Sequence, residues 1–127
     1  MGYEPMTIAA LADHLTAAGD LTARLRLVSE FCLEYSHEVH DVRQRLIADP
    51  PHHPDARWQA LCEALAEHVA AIDGLQAPPW LTSHPPSLAP WWFPLENPRW
   101  QAQSIVTSPM AFRRRGIFVP GSFFEAA

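Results

Sequence analysis

The sequence predicts a mainly α fold: a helical bundle or hairpin core with a Pro/Trp-rich irregular segment packed on it and short C-terminal helices. Three observations carry the prediction. Apolar residues recur at steps of three and four from Ile8 to Ile72, the period of helices buried along one face. Residues 78–98 then hold seven of the thirteen prolines, three of the five tryptophans and one charged side chain. Proline at that density excludes a regular helix or an inner strand. Beyond them, Asn97-Pro98 and Ser108-Pro109 each read as N-cap and first residue of a short helix.

Element by element, Ile8, Leu11, Leu15 and Ala18 place a short amphipathic helix over 7–18. Gly19 stops it and Asp20 caps its successor. Leu21, Leu25, Val28, Cys32, Tyr35, Val39, Val42 and Leu46 alternate steps of four and three, predicting one continuous helix of 26 residues that ends before Pro50-Pro51. Leu27 and Phe31 widen the seam over its first half. Intramolecular packing accounts for fewer than four heptads better than a dimeric coiled coil does. A third helix follows, with Trp58, Leu61, Leu65, Val69 and Ile72 on one face, Cys62 and Ala66 beside them, and Asp73-Gly74 at its end.

The Pro-rich segment carries Trp80, Leu81, Leu88, Trp91, Trp92, Phe93 and Leu95, too much apolar area for a solvated linker. It is expected to drape over the helices and bury a second core face. Residues 99–107 and 110–115 then form two short helices, with Arg113–Arg115 in the last turn and Gly116 closing it. Ile117-Phe118-Val119 reads as extended, and Ser122 as the cap of a final turn, FFEAA.

The 127 residues fit one domain, 1–127, divided into a helical core (1–76) and a Pro/aromatic-rich wrap with short helices (77–127). No apolar run approaches a bilayer span, and the N-terminus lacks the basic start and apolar stretch of a secretory signal. A cytoplasmic protein without membrane contact is the expectation. Residues 1–77 carry twelve acids and five arginines, a net −7, whereas 78–127 carry two acids and four arginines, a net +2, and lysine is absent. An acidic body disfavours duplex DNA, whose affinity is built on phosphate neutralisation.

Catalytic and metal motifs find little support. Glu34, His37, His40 and Asp41 share helical spacings, but HEVH is not the HExxH pattern that sets two histidines one turn apart on zinc. His52 and His53 sit between prolines in a turn. Cys32 and Cys62 occupy apolar helix positions, where cysteine is a small hydrophobe, and no nucleophile elbow or Gly-rich phosphate loop occurs. The expectation is therefore no catalytic residues, no metal and no cofactor. Arg113–Arg115, flanked by Phe112 and Phe118, is the most distinctive local feature. Consecutive helical residues turn by about 100°, so the three arginines cannot all face one partner; one or two should pair internally.

The blocks RWQALCEALAEH, DGLQAPPW and SPMAFRRRGIF, in this order, resemble a domain widespread in actinobacteria. It often forms the C-terminal part of XRE-type helix-turn-helix regulators or antitoxins paired with nucleotidyltransferase-like toxins of the AbiEii/AbiGii type. The resemblance covers residues 21–119. Only about 20 residues precede it here, too few for the DNA-reading domain of longer members, and it supplies no catalytic residues. It implies a non-catalytic protein-interaction domain, an antitoxin-like partner that occludes a toxin's cleft. Trp91, Trp92, Phe93, Phe112, Arg113 and Arg114 are the expected partner contacts, since aromatic and arginine anchors dominate interfaces. Two alternatives stay open. One is a nucleic-acid-binding regulator using the arginines and tryptophans for single-strand stacking. The other is a small-molecule sensor or enzyme whose pocket is lined by Trp80, Trp91, Trp92 and Trp100, with His37 or His68 nearby.

Overall fold

A computed structural model describes residues 4–124, in the order α1 (Ile8–Ala17), α2 (Leu21–Ser36), α3 (His40–Leu46), α4 (Ala56–Ile72), α5 (Pro98–Thr107), α6 (Met110–Arg113) and a 3-10 turn (Gly121–Phe124). The mainly α class is as the sequence predicts. Helix starts follow local chemistry. Thr7 Oγ1 accepts the Ala10 N–H, Asp20 Oδ1 that of Ala23 and Asn97 Oδ1 that of Arg99, with Pro98 in the first helical position. Each cap satisfies a donor that the first turn cannot pair.

The continuous helix expected over 21–46 is broken. α2 ends at Ser36, Val39 adopts an extended conformation (φ −78°, ψ 165°), and α3 starts anew at His40. Length explains the break. α4, the central helix, has 17 residues and spans about 26 Å, whereas an unbroken 26-residue helix spans about 39 Å and overshoots it by more than two turns. Arg43 holds the corner: its Nε donates to Tyr35 O (3.2 Å) and its Nη2 to Ser36 O (2.9 Å), satisfying carbonyls that α2 leaves open. The period-seven pattern runs through the corner because Val42 and Leu46 still turn inward, while Val39, counted in the seam, is exposed.

One continuous core joins the two halves of the chain. Ile8, Leu11 and Leu15 of α1, Val28 and Phe31 of α2 and Trp58, Leu61 and Leu65 of α4 meet Trp92, Phe112, Ile117 and Val119 from the wrap. Trp80 anchors the start of the wrap by donating its indole N–H to Ile47 O (3.1 Å), and Gln44 exchanges two hydrogen bonds with the Gln76 backbone. Downstream, Leu88 N–H donates to Arg115 O (2.8 Å) and Trp92 N–H to Gly116 O (2.8 Å), and Phe118 N–H donates to Trp92 O (2.9 Å). These bonds form a clasp around an isolated parallel bridge, Trp92 to Ile117. The Pro-rich stretch 78–97 is thus ordered without helix or sheet of its own.

Two further expectations are corrected. Ser108 does not cap α6: its hydroxyl donates to Ile117 O (3.1 Å) and accepts the Val119 N–H, leaving the helix to begin after Pro109 with no side-chain cap. A buried hydroxyl serves the deeper chain crossing, where an unpaired carbonyl costs more than at a helix end open to water. The final turn spans Gly121–Phe124 and contains Ser122; the rest of FFEAA, residues 125–127, lies outside the described residues.

Glycine is required in two turns, to different degrees. Gly74 (φ +64°) has open space around its missing Cβ, but at Gly116 (φ +77°) a Cβ would meet Leu88 O at 2.8 Å and Ser87 Oγ at 3.0 Å. Gly74→Ala should therefore cost about 1 kcal/mol from the left-handed conformation alone. Gly116→Ala should cost clearly more, because the clash also prises open the clasp. Urea unfolding of the two variants measures the difference, and equal losses would show that the clasp is slack.

Candidate functional site

The arginine turn is built around one buried charge. Arg115 is 0% exposed; its Nη1 donates to Glu67 Oε1 (2.9 Å) and to Ala111 O (2.8 Å). Glu67 projects from α4, 48 positions away in sequence, and also faces Arg114 Nη1 at 3.5 Å. Arg114 remains exposed and donates to Ser83 O (2.6 Å), tying down the wrap. Arg113 points elsewhere. Its guanidinium lies 5.7 Å from the centroid of the Phe118 ring and donates to Ile105 O of α5. Arg114 and Arg115 thus pair with Glu67 while Arg113 turns to Phe118 and Ile105, and Arg114 is the most exposed of the three, the divergence that the 100° spacing requires. With Arg114 and Arg115 both turned to Glu67, little of the basic cluster is left for a phosphate backbone.

Of the six expected contact residues, the structure gathers three on one face. Trp91, 61% exposed, rests on Phe118 (centroids 4.8 Å apart), Phe93 stacks on the same ring (5.4 Å), and Arg113 lies over it. Met110, 71% exposed and one helical turn before Arg113, shares that residue's side of α6, and Ile105, 45% exposed, supplies the carbonyl that Arg113 holds. The signal in sequence was the flanking of the arginines by aromatics; the contribution of Met110 and Ile105 had none, because apolar residues on short helices normally turn inward.

Phe112 and Trp92 are corrections. Phe112 is fully buried, stacked on Phe124 (4.4 Å) and edge-on to His68 (5.9 Å). Trp92 is only 9% exposed, set edge-on against Trp58 (4.9 Å), with Arg57 over its ring (5.3 Å). Their area fills the seam between α4 and the wrap, where it is worth more than at a solvent face. The supposed pocket of four tryptophans disperses likewise: Trp80 meets Ile47, Trp92 meets Trp58, Trp91 meets Phe118, and Trp100 stands on α5.

A cleft of about 160 Å³ opens between α2 and α4, lined by Tyr35, Arg43, His68, Asp73 and Phe124, with Cys32 behind them. Tyr35 Oη donates to Asp73 Oδ2 (2.5 Å), and Arg43 Nη1 pairs with the same oxygen (3.3 Å) while its guanidinium lies over the phenol ring. Burial, and then the bond to Asp73, push the Tyr35 phenol well above its ordinary value. Burial likewise pushes both thiols, Cys32 and Cys62, up to about 12, where the nucleophilic thiolate is negligible. Burial lowers the His68 imidazole below its usual 6.5, partly opposed by Asp73. Arg43 is committed to the α2 terminus and Asp73, so the cleft works as a joint between α2, α3 and α4. No group of three or more His, Cys, Asp or Glu side chains able to hold a metal ion occurs among the described residues. His37 caps α2, and His40 faces Asp41 (3.8 Å).

Among the described residues, no helix is long and apolar enough to cross a membrane. Comparison with protein-family models, curated proteins and solved structures finds no match.

Two outcomes follow from these electrostatics. Glu67→Ala leaves Arg115 buried without its counter-charge and should destabilise by about 3–5 kcal/mol, whereas Arg114→Ala, at a half-exposed pair, should cost at most about 1 kcal/mol; denaturant unfolding tests both. For His68, a depressed folded-state pKa means that the unfolded chain binds the proton more readily. Stability is then full above pH 6.5 and is lost as pH falls through 6.5 toward the lower folded value. Wild type should thus lose more stability than His68→Gln between pH 8 and 5 in parallel unfolding curves.

Proposed function

We propose that this chain is a non-catalytic protein-interaction domain that docks through the face built by Trp91, Phe93, Arg113 and Met110. The observation that carries the reading is the exposure of Trp91 over a buried Phe118, beside an arginine already held in place. A rigid aromatic and a pre-positioned guanidinium lose little conformational entropy on binding, which is why such residues dominate interface energetics. The buried thiols and the cleft whose arginine is spent on helix capping agree with a role that needs no reacting group. Two free cysteines suit a reducing, cytoplasmic compartment.

The antitoxin-like role, occlusion of a nucleotidyltransferase-type toxin, rests on the resemblance of the sequence blocks. The acidic half retains exposed carboxylates for a basic cleft, among them Asp13, Glu30, Asp41 and Asp49. Asp73 and Glu67 are spent on internal arginines and Glu34 on the Met6 N–H.

Capture of the tagged protein from its native host, followed by mass spectrometry, tests the proposal. A stoichiometric protein partner is expected, and the Trp91→Ala, Arg113→Ala double variant should bind it at least about tenfold more weakly, a loss of about 1.4 kcal/mol or more, at an unchanged melting temperature. Absence of a partner, or equal binding by the double variant, overturns the docking face. A toxin-like nucleotidyltransferase supports the narrower role, and any other protein removes it.

A further inference from the structure

The joint between α2, α3 and α4 leaves His68 unused. Its imidazole is half-buried beside Phe112 and Phe124, and it lines the cleft. Among the described residues neither ring nitrogen meets a hydrogen-bond partner, and neither is sealed from solvent. The other polar groups of the cleft are engaged with one another or with backbone. Tyr35 and Arg43 converge on Asp73, and the Ser36 hydroxyl donates to Leu33 O (2.6 Å). Leu65, Val69 and Phe124 supply apolar wall, and Ile72 stands exposed at the rim. At about 160 Å³, the space matches the cavity of about 150 Å³ that takes up one benzene ring.

We propose that this cleft binds a neutral one-ring phenol, its ring against Leu65, Val69 and Phe124 and its hydroxyl on an imidazole nitrogen of His68. Charge selects a neutral ligand. Arg43 and Asp73 are the charged groups that line the cleft, and they pair with each other (3.3 Å), so an ionic ligand would lose its water without gaining a counter-charge. Tyr35, His68 and Phe124 present aromatic rings, whose edges and faces favour another ring over an alkyl chain. Burial favours the uncharged imidazole, with one donor and one acceptor nitrogen, and a hydroxyl can meet either. The bonds of Tyr35 and Arg43 to Asp73 hold the walls in place before a ligand arrives, so little ordering is lost on binding. The cleft and the docking face are built from different elements, and neither reading depends on the other.

The imidazole nitrogen resonances of His68 report the site directly. Phenol added at pH 7.5 should move them and saturate, whereas toluene, which lacks the hydroxyl, should bind about tenfold more weakly. That preference should vanish in His68→Phe. Ile72→Trp covers the mouth from an exposed position and should weaken phenol by about tenfold or more at an unchanged melting temperature. A shift that never saturates, toluene binding as tightly as phenol, benzoate binding more tightly than phenol, or undiminished affinity in Ile72→Trp overturns the proposal.

Discussion

The buried ion pair between Arg115 and Glu67 is the constraint on which the C-terminal half is organised. A guanidinium that is fully enclosed must have its counter-charge in place, so this pair, with Arg114 on the same Glu67 and Phe112 against His68, fixes α4 and the turn after α6 relative to each other. The Arg115 and Gly116 carbonyls then accept the Leu88 and Trp92 N–H groups, which makes the position of the Pro-rich segment a consequence of the same turn. Gly116 allows that close approach, since a side chain there would collide with the Leu88 carbonyl. A buried pair of this kind is weak evidence for net stability, because desolvation offsets most of its attraction. Its effect here is geometric: it excludes arrangements in which the arginine turn swings away from α4.

The second constraint is the length of α4. Helices that flank it must match its span, and the corner at 37–39 is how the α2–α3 segment does so. Arg43 links the corner to Asp73 at the far end of α4, and Tyr35 adds a hydrogen bond to the same carboxylate. The polar network in that cleft ties three helices together at one end, while Arg115 and Glu67 join the wrap to α4. His68 lies beneath the C-terminal 3-10 turn, close to Phe112 and Phe124, where burial disfavours its charge.

Adjacent residues meet opposite fates around the clasp. Trp91 is exposed and Trp92 buried because the chain is locally extended at the bridge to Ile117, and successive side chains of an extended chain point to opposite faces. The two tryptophans are equivalent in composition and in every pattern the segment displays. Only their register against Ile117 separates a core residue from a surface anchor. The three arginines are divided in the same way, one buried, one tying down the wrap at Ser83 and one beside Phe118.

Much of this was legible in the residues themselves. The periods of α1 and α4, the Asp20 and Asn97 caps, the Gly74 and Gly116 terminators and the apolar nature of the cysteines all express interactions within a few positions of one another, so local sequence contains both partners. The ordered wrap was legible too, since its tryptophans and phenylalanines could not remain in water. What only the tertiary structure decided depends on partners distant in sequence: the corner after Ser36, the diversion of Ser108 to Ile117 and Val119, the burial of Phe112 and Trp92, and the choice of Glu67 for Arg115. Local patterns state which side chains need burial or a counter-charge. The contacts that meet those needs lie tens of residues apart, 48 between Glu67 and Arg115, and they are set by how helices of fixed length can share one core.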